Sequence, residues 1–207
     1  MPEDQLENLR SALSTVYGEE MPPMLAAVLV AACGRGTVAF EDVQSIAGGA
    51  AGELLLFAWS QKLLLPRKFF RCSEWDDRVV GIVPGEIYEM PNISRYLVKS
   101  AMAGAKWDVR AAVGALYRDM GEAEWKKMPD VVDEICGHAV NGAISAPAIA
   151  AACTRAGVCG RTGALIAILK GGGIVSPKLR PLGPVIKAAV PLYEVNPCAC
   201  PGSGGGR

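Results

Sequence analysis

Ser145-Ala146-Pro147-Ala148-Ile149-Ala150-Ala151-Ala152-Cys153-Thr154-Arg155-Ala156-Gly157-Val158 is the stretch whose reading decides the fold. Proline has a fixed φ suited to a first helical turn, so Pro147 predicts a helix that runs through Thr154 and stops at Gly157. Small residues at Ala152, Cys153 and Ala156 let a second helix cross closely, and Gly157 supplies a tight turn. That second helix is read over Thr162 to Lys170, ended by Gly171-Gly172-Gly173.

Outward from this stretch the chain says nearly the same thing twice. Met21-Pro22 opens an apolar run that reaches Cys33-Gly34, and Met128-Pro129 opens one that reaches Cys136-Gly137. Val83-Pro84-Gly85-Glu86-Ile87-Tyr88-Glu89-Met90-Pro91 is answered by Val190-Pro191-Leu192-Tyr193-Glu194-Val195-Asn196-Pro197. Tyr17 and Tyr117 each close a helical pattern shortly before the Met-Pro pair. An ordered series of such markers predicts two copies of one small domain. The expected boundaries are 1–96 for copy one, 97–109 for a helical connector, 110–197 for copy two and 198–207 for a flexible Cys/Gly-rich tail.

The 207 residues accommodate two domains of ordinary size, and 51% hydrophobic residues give each a core to bury. No apolar run is long enough to cross a bilayer. The acidic start, with Glu3, Asp4 and Glu7, is unlike a secretory signal. The expectation is a soluble, cytoplasmic protein with no membrane partner. A net charge of zero conceals an asymmetry: residues 1–96 hold 13 Asp/Glu against 8 Lys/Arg, and residues 97–207 hold 8 against 13. No acidic residue lies between Gly137 and Tyr193, where Arg155, Arg161, Lys170, Lys178, Arg180 and Lys187 all stand.

Copy one reads as helices over Gln5 to Val16 and Met24 to Cys33, then a short strand at Thr37 to Phe40. A brief helix follows from Glu41, then a third helix over Gly52 to Lys62, and strands around Leu65 and from Val79 to Tyr88. Copy two repeats this order, with strands at Ala143-Ile144, Ile174-Val175 and Val185 to Val195. The fold class is therefore mainly α with small β-hairpins (α+β), two domains related by internal duplication. The order of helix, short strand, helix, turn, helix and hairpin resembles winged helix-turn-helix proteins as a superfamily. Copy one departs at its turn, Ile46 to Gly52, which is glycine-rich.

In such proteins the third helix enters the major groove and the wing meets phosphates. The resemblance thus implies a non-enzymatic DNA-binding protein, a transcription regulator or chromosome-associated factor, that contacts double-stranded DNA mainly through copy two. The expected contacts are Arg155, Arg161, Thr162, Lys170, Lys178, Arg180 and Lys187. Copy one, with an apolar third helix opening on Glu53, is expected to hold a second copy or a protein partner through Leu55, Phe57 and Trp59. Its wing cluster of Lys62, Arg67, Lys68 and Arg71 is followed at once by Glu74, Asp76 and Asp77. The alternative is a protein–protein adaptor or assembly subunit using both domains without nucleic acid.

Catalysis finds little to work with. The single histidine, His138, lies two residues from Cys136 on a helix, so the two point to different faces. Cys198 and Cys200 make half a metal site and no closely spaced second pair completes it. No cofactor, catalytic residue or metal ligand is expected. A redox- or metal-sensing role for the tail cysteines ranks third.

Overall fold

The structure is a computed structural model that describes residues 3–67, 75, 80–104, 106–158, 160–178 and 190–200. It is mixed α+β, with nine α-helices and two three-stranded antiparallel sheets among the described residues. The first half runs α1 (Glu3–Tyr17), α2 (Leu25–Arg35), β1 (Thr37–Ala39), α3 (Phe40–Ala47), α4 (Ala51–Ser60), β2 (Leu65–Pro66) and β3 (Ile87–Glu89). Helix α5 (Asn92–Met102) follows. The second half runs α6 (Val109–Asp119), α7 (Met128–His138), β4 (Ala143–Ser145), α8 (Ala146–Arg155), α9 (Thr162–Gly172), β5 (Val175–Lys178) and β6 (Leu192–Val195). A 3₁₀ turn, Pro197–Ala199, closes it.

Local chemistry explains the boundaries. Gly36, at φ 76°, ends α2 in the left-handed region that a Cβ disfavours, and its N–H donates to the Ala32 carbonyl. Asp108 caps α6 by accepting from the Ala111 N–H, and Ser145 caps α8 by accepting from Ala148 N–H. Between α8 and α9, Gly157 turns at φ 74° while Val158 N–H donates to the Cys153 carbonyl.

The two sheets share strand order, β1-β3-β2 and β4-β6-β5, with the last strand of each half in the centre. Their registers correspond as well. Val38 faces Tyr88 where Ile144 faces Tyr193, and Pro66 faces Tyr88 where Pro177 faces Tyr193. Strands of two to four residues could not hold alone; each sheet is covered by the helices of its own half.

One contiguous core runs through both halves. Helix α5 packs on α1, α2 and α6 and touches α9 and the closing 3₁₀ turn. The boundary expected at residue 96 falls within α5, which packs against helices of both halves. The tail also differs from expectation. Cys198, Ala199 and Cys200 are buried, and Cys200 forms a disulfide with Cys136 on α7. The Cys198 thiol is fully enclosed against Ser94 of α5, 3.4 Å away, and burial pushes it up to about 12. The Cys/Gly-rich composition of the tail concealed this, because the partners of Cys198 and Cys200 lie far away in sequence, on α5 and α7.

Polar contacts lock the halves together. Lys62 Nζ, from the turn after α4, pairs with Glu194 of β6 at 3.1 Å, with both side chains mostly buried. Trp75 N–H donates to Ser176 Oγ at 3.2 Å, and Asn92 Nδ2 donates to the Gly171 carbonyl at 2.9 Å. Lys62 was expected in an exposed basic cluster on the wing. Its positive φ of 51° turns the chain so that the ammonium points inward, over the Trp59 ring and onto Glu194.

Candidate interaction surfaces

The residues expected to meet DNA are dispersed in the structure. Arg155, at the end of α8, donates from Nε to Glu134 Oε2 of α7 at 2.5 Å and lies 3.2 Å from His138 Nδ1. Arg161, just before α9, donates to Glu122 Oε1 at 2.6 Å and approaches Glu124 Oε2 at 3.4 Å. Glu122 is a buried carboxylate. Burial pushes its carboxyl up, but the Glu124 N–H and the Arg161 guanidinium outweigh that and hold it below the ordinary range. Both arginines are thus engaged by carboxylates from α7 and from the segment before it. The stretch free of acids in sequence is not free of them in space.

Helix α9 presents little charge. Gly163, Ala164 and Ala167 are its exposed residues before Lys170, which stands near its C-terminal end. Lys170 is exposed and has no hydrogen bond or ion pair with any described residue. Lys178 lies at the end of β5, opposite Leu192. The side chain of Thr162 and the whole of Lys68, Arg71, Arg180 and Lys187 lie outside the described residues.

The face expected to bind a partner needs one correction. Leu55 is 1% exposed and belongs to the core, because it shares the inward stripe of α4 with Leu54 and Ala58. Phe57 is half-buried, its ring edge-on to Tyr17 at 5.4 Å between centroids. Trp59 is half-buried beneath the Lys62 ammonium, 4.5 Å from its ring centroid, and its Nε1 has no acceptor among the described residues. The exposed large hydrophobic residue of that helix is Leu56, at 48%. A Cβ added to Gly52, one turn earlier, would lie 3.3 Å from the Ile82 side chain, so Ile82 crosses the same face. Ile82 is 43% exposed and Val83 is 53% exposed. This apolar patch was missed in the sequence because Ile82 and Val83 read there as the interior of a wing strand. The chain at residues 80–86 is not in a strand, and it brings Ile82 against Gly52 of α4.

No group of three or more His, Cys, Asp or Glu side chains gathers where it could hold a metal ion among the described residues. Among the described residues no helix is long and apolar enough to cross a membrane. No curated protein and no solved structure matches the chain. The model of a protein family of unknown function matches residues 7–200, and the chain belongs to that family.

Proposed function

We propose that the protein is a non-enzymatic assembly subunit, made of two winged-helix-like domains related by internal duplication, that associates with a second copy of itself through the α4 face of its first half. The shared strand order and registers of the two sheets support the duplication. The observation that carries the assembly reading is the exposure of Leu56 on α4, with Ile82 against the same helix at Gly52 and Val83 next to Ile82 in the chain. Scattered exposed hydrophobes are ordinary, but neighbouring large ones favour burial against another surface. Glu53 is the only charged residue on α4, and the chain as a whole is neutral, so little opposes the approach of a second copy. A two-fold pair is the commonest closed arrangement, and it would place this patch against itself.

Sedimentation velocity over a concentration series tests this. A dimer is expected, converted to monomer by Leu56→Glu and unaffected by Val140→Glu, which alters a residue 70% exposed elsewhere. A monomer at every concentration, or a dimer indifferent to Leu56→Glu, overturns the reading.

A second reading, binding of double-stranded DNA through the second half, is favoured by Lys170. It is exposed and unpaired among the described residues, on the helix that such domains place in the groove. Titration of a fluorescent duplex at several salt concentrations should then show binding that weakens steeply with salt and with Lys170→Ala. Absence of binding at low salt removes this reading.

A further inference from the structure

A cleft of about 620 Å³ opens where the halves meet, and its walls are cationic. Arg35 enters it from the end of α2, Arg67 from beyond β2, Arg95 from α5 and Lys170 from α9. Among the described residues the only carboxylate on its lining is Glu89 of β3. Four segments from both halves therefore bring cationic side chains to a single concave site.

These cations differ in how far they are committed. The Arg95 guanidinium is held by the end of α2: Nε donates to the Cys33 carbonyl at 2.8 Å and Nη2 to the Gly34 carbonyl at 2.7 Å. Its charge still faces the cleft. Arg35 and Lys170 are exposed and have neither hydrogen bond nor ion pair with any described residue. Arg110, Arg155 and Arg161, by contrast, each reach a carboxylate. Arg35 and Lys170, without a partner among the described residues, add to the positive field of the cleft, and a concave site bounded by protein focuses that field. An anion bound there offsets these charges and stabilises the folded chain. The volume lies within the range of small-molecule sites, and the charged walls exclude an apolar ligand.

We propose that this cleft binds a small, multiply charged phosphate anion, with Arg35 and Lys170 as its principal contacts. The inference stands apart from self-association, since α4 contributes nothing to the cleft lining.

Isothermal titration of the full chain with inorganic pyrophosphate tests it. One saturable site is expected, weakened about tenfold by Arg35→Gln and again by Lys170→Gln, as loss of a charge-assisted contact predicts. Lys126→Gln, on an exposed cation outside the cleft, should leave it unchanged. Both cleft variants change exposed side chains, and matching thermal unfolding curves without ligand establish that they fold. Absence of pyrophosphate binding overturns the proposal. So does binding that is insensitive to both substitutions, or binding of a DNA duplex without binding of pyrophosphate.

Discussion

The carboxyl ends of α2 and α7 occupy the same place in the two halves, yet the chain closes them by different chemistry. At the end of α2, Cys33 is a buried thiol whose Sγ lies 3.8 Å from the Arg95 carbonyl, and Arg95 donates back to the carbonyls of Cys33 and Gly34. At the end of α7, Cys136 is bonded covalently to Cys200. Arg95 follows Glu89, and Cys200 follows Glu194, by the same number of residues, and those glutamates hold the same register in their sheets. The difference lies in what comes next. In the first half the chain continues as α5, a helix packed along its length, which delivers Arg95 to its acceptors. In the second half the described chain after the strand is a single 3₁₀ turn, which packs on α5 and is bonded to α7 by the disulfide.

The largest expected effect comes from breaking that asymmetry. Cys136 and Cys200 are 64 residues apart, so on the chain-entropy account Cys200→Ser should cost about 4 kcal/mol in urea unfolding. Arg95→Ala removes hydrogen bonds to two carbonyls that are partly within reach of water, and should cost about 2 kcal/mol. Equal losses, or a larger loss at Arg95, would mean that the two closures do the same mechanical work. Reductant should lower the stability of the wild type and leave Cys200→Ser unmoved.

A somewhat smaller effect is expected at the turns after the third helices. Lys62 and Gly173 both adopt positive φ, at 51° and 74°. Gly173 tolerates nothing larger, since an added Cβ would lie 2.9 Å from the Pro91 Cβ. Lys62 instead extends to the other half and neutralises Glu194. Lys62→Met removes this ion pair from a mostly buried carboxylate and should cost about 3 kcal/mol. Lys62→Met combined with Glu194→Leu should recover most of the loss, as removal of a whole buried pair often does. A double variant as unstable as the single one would show that the turn, not the charge, needs lysine.

What the sequence revealed and concealed follows the range of the interactions involved. Helix α8 and its turn were legible from Pro147 and Gly157, because caps and turns are decided within a few residues. The third helices and the two Tyr-containing centre strands were legible for the same reason. Tertiary pairing was not. The stretch from Gly137 to Tyr193 contains no acid, but Glu122, Glu124 and Glu134 lie just upstream and fold back onto Arg161 and Arg155. Lys62 looked like a surface cation because nothing near it in sequence announces Glu194. Cys198 and Cys200 looked like tail residues because their partners, Ser94 and Cys136, lie on α5 and α7. Leu55 and Leu56 are adjacent and alike in character; only the path of the helix sends one inward and the other out.

The smallest expected effect concerns the two tyrosines that mark the repeat. The hydroxyls of Tyr17 and Tyr117 are buried and have no hydrogen-bond partner among the described residues. Burial raises both phenols well above their ordinary range, and Cys198 adds to this at Tyr17, Glu122 at Tyr117. An unsatisfied hydroxyl contributes nothing to offset its desolvation, so Tyr17→Phe and Tyr117→Phe should each be neutral or stabilising by up to about 1 kcal/mol near neutral pH. The sign with pH follows from the raised phenols. Above about pH 10 the unfolded chain releases protons that the folded chain keeps, so stability falls as pH rises, and each phenylalanine removes part of that fall. The two sites should separate on a second substitution. A Cβ added to Gly172 would lie 2.5 Å from the Tyr117 hydroxyl, so Gly172→Ala should be better tolerated in Tyr117→Phe than in the wild type. Tyr17→Phe should give no such relief, because its hydroxyl lies toward Cys198 and its ring against Phe57 and Trp107. A loss of about 1–2 kcal/mol in either phenylalanine variant would instead assign its hydroxyl a buried water partner.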